Sequence, residues 1–260
     1  MSRVRPKKAF GQHFLVDRNV LGVIERLAGL ERGDVVLEVG PGLGVLTAFL
    51  ADRVRHVHAI EIDRMLEEPL RTTIAGHENV ELVFADALSL DFGSLVPMPG
   101  KLVANLPYNV ATPLVVETLT GVAALRSWCV MVQREVADRF FAEPGTKAYG
   151  AVSVVVRLHA RRTGLHPVSR TVFRPPPNVD SALVGFERIA PPPNADRVRR
   201  IVTAAFAHRR KTLANSVALA GLVPRDATVG ALATIGRPPA IRAEALEPEE
   251  FVRLAGALPG

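Results

Sequence analysis

Apolar positions along this chain change their organisation near residue 190. Between Asp34 and Arg188, short apolar runs alternate with stretches of helical pattern. Continuous apolar runs of strand length mark strands buried on both faces, and their alternation with helices marks a parallel sheet covered on both sides. The pattern predicts strands over 35–39, 56–60, 80–84, 101–104, 127–132, 151–158 and 181–187, and helices over 45–53, 64–74, 112–119 and 135–141. The fold class is therefore α/β, a Rossmann-like sheet of seven mostly parallel strands.

Ala190-Pro191-Pro192-Pro193 continues neither strand nor helix, so a domain boundary falls there, giving domains 1–189 and 190–260. Beyond it the spacing predicts helices over 195–207, 211–220 and 248–257, broken by Gly221, Pro224, Gly236 and Pro238-Pro239. This is a small helical domain. No internal repeat is present.

At 260 residues and 48% apolar content, the chain buries a real core in one large or two unequal domains. Its net charge of +6 favours a polyanionic partner. Cys129, the single cysteine, sits among Trp128, Val130 and Met131 as a buried strand residue, which fits a reducing cytoplasm. The first ten residues carry Arg3, Arg5, Lys7 and Lys8 but no apolar signal core, and no apolar run reaches membrane-spanning length. The expectation is a cytoplasmic protein without a membrane partner.

Three strand ends carry acids. Val35-Val36-Leu37-Glu38-Val39 runs into Gly40-Pro41-Gly42-Leu43-Gly44, a turn whose glycines let backbone approach a ligand closely. The turn alone fits a dinucleotide as well as any other adenosine cofactor. Glu38, however, repels a pyrophosphate and suits the ammonium of S-adenosylmethionine. Glu61, ending the next strand before Ile62, is placed to accept from both ribose hydroxyls of either cofactor. Asp86, followed by Ala87 and Leu88, is placed for an adenine amine, with Ile62 and Leu88 on the ring faces. Singly, each acid is an ordinary loop carboxylate; together they indicate S-adenosylmethionine and a class I methyltransferase.

Asn105-Leu106-Pro107-Tyr108 follows the apolar run Leu102-Val103-Ala104, at the carboxyl end of a strand where α/β sheets bind ligands. Asn105 Oδ1 and the Leu106 carbonyl, stiffened by Pro107, match the two hydrogens of a planar exocyclic amine, and Tyr108 offers a ring face. Isolated, the tetrapeptide is a strand-to-turn exit. Phe173, held by Pro175-Pro176-Pro177, either forms a second wall against an extruded base or packs in the core.

These residues, with Phe10-Gly11-Gln12-His13-Phe14-Leu15, Thr112-Pro113, Gln133-Arg134-Glu135-Val136, Lys147-Ala148-Tyr149-Gly150, residues 173–181 and His208-Arg209-Arg210-Lys211-Thr212-Leu213, resemble the small-subunit ribosomal RNA adenine dimethyltransferase family, the KsgA type. The resemblance spans nearly the whole chain. It implies transfer of two methyl groups from S-adenosylmethionine to each of two adjacent adenosines near the 3′ end of small-subunit RNA in a partly assembled 30S particle. S-adenosylhomocysteine is the implied product, no metal is expected, and the enzyme is expected to be a monomer. Gln12, His13 and Leu15 are implied to close over the methionine end; relatives often carry asparagine where His13 stands. The same resemblance assigns RNA contacts to Arg5, Lys7 and Lys8 and to Arg209, Arg210 and Lys211, near Arg197, Arg199 and Arg200. Alternatives are an erythromycin-resistance type methyltransferase acting on large-subunit RNA, a non-catalytic RNA-binding assembly factor, and an NAD-dependent oxidoreductase.

Overall fold

The computed structural model describes residues 12–259. After β1 (Phe14–Leu15) and α1 (Asn19–Ala28), strands and helices alternate: β2 (Val35–Val39), α2 (Val45–Ala51), β3 (His56–Glu61), α3 (Glu67–Thr73), β4 (Val80–Phe84), β5 (Lys101–Asn105), α4 (Ala111–Gly121), β6 (Ser127–Gln133) and α5 (Arg134–Phe140). Then come α6 (Ala151–His159), β7 (Ala160–Val168), β8 (Phe173–Arg174), β9 (Ser181–Arg188), α7 (Ala195–Phe206), α8 (Leu213–Leu219), α9 (Arg225–Thr234) and α10 (Pro248–Ala257). No helix among the described residues is long and apolar enough to cross a membrane.

The chain divides into two compact units, Met1–Ala137 with Arg161–Arg188, and Asp138–Ala160 with Ile189–Gly260. The first holds a sheet of order β4-β3-β2-β5-β6-β9-β7. β4, β3, β2, β5 and β6 run parallel, and β9 runs antiparallel to β6. The fold is thus a Rossmann-like sheet of the class I methyltransferase type followed by helices, as expected. From β2 the chain winds outward through β3 and β4, then returns to lay β5 against the other side of β2. That reversal opens a crevice at the carboxyl ends of β2 and β5. Val36, Val57, Val103 and Cys129 pack with Ile24 and Leu50 in one buried cluster. Burial pushes the Cys129 thiol up to about 12, so it behaves as a core apolar residue.

One predicted strand is corrected. Residues 151–158 form α6, not a strand, and the seventh strand is β7. The valines at 152, 154, 155 and 156 carry high strand propensity, but tertiary context overrides it. Ser153 Oγ accepts from the Gly150 N–H at 3.1 Å and donates to the Arg139 carbonyl at 2.6 Å, which starts the helix. β7 escaped notice because its Arg161, Arg162, His166 and Pro167 are edge residues, exposed and without an apolar run.

The helical unit contains α6 to α10. Tyr149, 1% exposed, donates through its hydroxyl to the Leu246 carbonyl at 2.7 Å, tying the residues before α6 to those before α10. Asp138–Ala160, which the sequence reading counts within residues 1–189, belongs to this unit through such contacts.

Candidate active site

The turn after β2 is built from three positive-φ glycines, Gly40, Gly42 and Gly44, at 75°, 59° and 81°. A Cβ on Gly40 would lie 3.0 Å from the Pro107 ring, and one on Gly42 would lie 3.0 Å from the Phe14 ring. Two loops therefore close on this turn only because it lacks side chains. Gly40→Ala is expected to destabilise the chain by about 1–3 kcal/mol from backbone strain and to weaken adenosine-cofactor binding. Urea denaturation and calorimetric titration check both effects.

The turn's three glycine amides are already used. Gly40 N–H donates to the Ile60 carbonyl, Gly44 N–H to the Pro41 carbonyl, and Gly42 N–H to Glu61 Oε2 at 3.1 Å. Glu61 Oε1 accepts from the Asp63 N–H at 2.9 Å. With these glycine amides committed and the Glu38 and Glu61 carboxylates alongside, the turn disfavours a pyrophosphate.

Glu38 is 1% exposed, and its Oε2 has no hydrogen-bond partner. Burial raises its pKa to about 8; the neighbouring Thr47 hydroxyl opposes the rise and Glu61 adds to it. Glu61 is also raised, chiefly by burial, against the pull of the Asp63, Gly42 and Ile62 N–H groups. A buried acid with an open oxygen is prepared for a cationic ligand, and the α-ammonium of S-adenosylmethionine supplies that charge. Asp86 is exposed, with Oδ1 held by the Leu88 N–H at 3.0 Å. Ile62 and Leu88, 47% and 44% exposed, are large apolar side chains that both line the cleft, suited to the faces of an adenine ring. This donor and acceptor set fits S-adenosylmethionine.

Asn105 ends β5, where Nδ2 donates to the His13 carbonyl at 3.1 Å. That bond fixes the amide so that Oδ1 is its remaining acceptor. Leu106 N–H donates to the Met131 carbonyl, and the Pro107 carbonyl accepts from Val110 and Ala111 in the first turn of α4. The Leu106 carbonyl accepts no hydrogen bond among the described residues. Two acceptors thus stand side by side at one strand end. Tyr108 shares a 2.7 Å hydrogen bond with the Ser181 hydroxyl, and its ring lies 5.4 Å from that of His13, tilted by 33°. Burial raises the Tyr108 pKa; Ser181 opposes and Asp180 reinforces the rise, leaving a neutral phenol at physiological pH.

Every residue that the sequence reading gives to the cofactor, together with Asn105, Leu106, Pro107 and Tyr108, lines one cleft of about 1040 Å³, open mouth included. Phe173 does not. It is 1% exposed within the core cluster, pairing with Leu15 across β1 and β8. Its ring packs within the core cluster. Arg5, Lys7 and Lys8 lie outside the described residues, whereas Arg209, Arg210 and Lys211 are exposed on the turn between α7 and α8.

Sequence reasoning missed four supporting groups. Asp63, 4% exposed, accepts from Gln12 Nε2 at 3.0 Å and from the Met65 N–H at 3.2 Å, so it anchors the segment that carries Gln12. Its place immediately before the helical turn Arg64–Leu66 is a readable capping signal. Thr47 comes to Glu38 from the next helix, α2, whereas Ser181 beneath Tyr108 and the Pro175 carbonyl, which accepts from His13 Nδ1 at 2.8 Å, carry no local signal because they arrive from distant parts of the chain.

The model of the family described as "Ribosomal RNA adenine dimethylase" matches residues 3–255. Among curated relatives, the "Ribosomal RNA small subunit methyltransferase A" of Rubrobacter xylanophilus is 49% identical over 96% of this chain and 94% of its own length. The protein of the same name from Thermobifida fusca is 46% identical over 97% and 90%. Among solved structures, a dimethyladenosine transferase from Plasmodium falciparum superposes with a TM-score of 0.76 at 25% identity, covering 93% of this chain and 96% of that one. The 23S rRNA methyltransferase ErmE gives 0.68 at 30% identity, covering 94% and 99%.

Proposed function

The chain belongs to the ribosomal RNA adenine dimethylase family, and on that footing we propose how its cleft works and on what. The protein is an S-adenosylmethionine-dependent enzyme that dimethylates adenosines in small-subunit ribosomal RNA during ribosome biogenesis. The finer reading is that the targets are two adjacent adenosines near the 3′ end, met in a partly assembled 30S particle. The enzyme acts on them as a cytoplasmic monomer.

S-adenosylmethionine supplies an electrophilic methyl group on its sulfonium. Glu38 faces its ammonium, Glu61 its ribose, and Asp86 with Ile62, Ala87 and Leu88 its adenine. Gln12, His13 and Leu15 bound the methionine end. The target adenine places one N6 hydrogen on Asn105 Oδ1 and the other on the Leu106 carbonyl. Both bonds draw the nitrogen lone pair out of conjugation with the ring and stabilise positive charge as it builds. They also hold the nitrogen in line with the donor carbon. The first methylation leaves one N6 hydrogen, enough to hold the amine for a second after the base turns. Tyr108 stacks on the base, worth about 1–3 kcal/mol, with its hydroxyl pinned by Ser181. No general base is needed, because the methylated amine gives its proton to water.

The observation that carries this reading is the fixed orientation of Asn105, whose Nδ2 donates to the His13 carbonyl and whose oxygen is kept for a ligand. The test is mass spectrometry of small-subunit RNA from cells lacking the gene. Dimethyladenosine disappears and returns with wild type but not with Asn105→Ala; retention of both marks without the gene contradicts the assignment. The likeness to ErmE favours a second substrate, large-subunit RNA. Methyl incorporation into protein-free large-subunit RNA, and not into 30S particles, would establish it.

Arg209, Arg210 and Lys211 are proposed as phosphate contacts. Arg197 belongs to a different class, since its guanidinium donates to the Leu258 carbonyl at 2.7 Å and holds the chain end. Replacing Arg209, Arg210 and Lys211 together by alanine should reduce the slope of log affinity against log salt by about 2–3, measured by filter binding to 30S particles. S-adenosylmethionine affinity should stay unchanged.

A further inference from the structure

His56 and His58 lie two residues apart on β3, so the period of the strand puts both on one face. In the parallel pair with β4, Glu81 stands opposite His58 and shares that face. His58 is completely buried; its Nε2–H donates to the Pro97 carbonyl at 2.7 Å. That bond commits Nε2 and leaves Nδ1 facing away from Pro97, with Glu81 Oε2 2.8 Å from it. A carboxylate oxygen this close to an imidazole nitrogen requires positive charge between them, carried by a proton or by a metal ion. His58 Nδ1 and His56 Nε2 are both buried, and the polar group each faces is Glu81 Oε2.

We propose that His56 Nε2, His58 Nδ1 and Glu81 Oε2 form a binding site for a divalent transition-metal ion, separate from the methyl-transfer cleft. These three atoms lie within 4.8 Å of one another. Ligands about 2.0–2.1 Å from a tetrahedral zinc ion stand roughly 3.3 Å apart. The separations from Glu81 Oε2, 2.8 Å to His58 and 3.7 Å to His56, bracket that value. Glu81, whose side chain is 49% exposed, is free to take up the difference and leaves water access to a fourth position. Two imidazoles with one carboxylate suit zinc, nickel or copper and not magnesium or calcium, which take all-oxygen shells. The Pro97 carbonyl behind His58 is the outer-shell partner that metal-bound histidines regularly have. The site begins the strand that Glu61 ends, roughly 16 Å away along β3. It would clip the edge strand β4 to β3.

The test uses the full chain without an affinity tag, with zinc chloride as probe. Equilibrium dialysis should find one zinc ion per chain, and the melting temperature should rise by about 5 °C at saturating metal. His56→Gln and Glu81→Gln, both at partly exposed positions, should each weaken zinc binding at least tenfold. Their circular dichroism and S-adenosylmethionine binding should be unchanged. Cobalt substitution of wild type gives an answer independent of any variant: X-ray absorption should count two imidazoles with oxygen. No stoichiometric zinc on wild type, equal binding in both variants, or a shell without two imidazoles overturns the site.

Discussion

Asn105→Ala should lower single-turnover methyl transfer by about 10²–10³-fold, the loss expected when a preorganised polar group facing developing charge is removed. The side chain has two jobs, and they separate in the variants. Nδ2 holds the His13 carbonyl at 3.1 Å, while Oδ1 remains for the substrate amine. Alanine removes both, so S-adenosylmethionine affinity should also fall as the segment carrying Gln12 and His13 loosens. Asn105→Asp keeps an oxygen toward the amine but sets a carboxylate oxygen against the His13 carbonyl. It should therefore lose cofactor affinity more than the single-turnover rate at saturating cofactor. Stopped transfer assays on 30S particles, with calorimetric cofactor titration, distinguish these patterns. Equal transfer by wild type and Asn105→Ala at saturating cofactor would remove Asn105 from the chemistry.

Much of this site was legible because its chemistry sits at strand ends. The apolar runs of β2, β3, β4 and β5 are each followed by the residue that matters: Gly40, Ile62, Asp86 and Leu106. A parallel sheet in register gathers those ends without further information. The orientation of the groups was not legible. Nothing near Asn105 in sequence announces that its amide hydrogens go to His13, 92 residues away. The packing of Phe173 was illegible for a related reason: a proline-stiffened segment fixes where an aromatic starts, not which side of a two-residue strand pair it packs on. The error at residues 151–158 is one of competing signals, since a valine-rich run obeys either geometry and Ser153 with Arg139 decides for helix. The glycine turn was ambiguous between cofactors until its amides were seen to be spent on Ile60, Pro41 and Glu61.

Glu38 should make the free protein less stable as pH rises, opposite to the behaviour of a salt-bridged acid. Its pKa goes from an ordinary 4.5 to about 8 in the folded chain. Between these values the folded state holds a proton that the unfolded state has lost. Stability from this group is therefore fully present below pH 4.5 and is lost as pH rises through about 8. The span is worth up to about 5 kcal/mol. Glu38→Gln removes the ionisation, so urea melts at pH 6 and pH 9 should differ less than for wild type, and the variant should be the more stable at pH 9. Cofactor binding reverses the balance, because an ammonium beside the carboxylate favours its charged form. Binding to wild type near pH 7 should release close to one proton, read from the buffer dependence of the calorimetric enthalpy. The variant should release none and bind at least tenfold more weakly. A variant that binds as tightly as wild type, with the same proton release, would show that Glu38 does not meet the ammonium, and that its open oxygen serves some other partner.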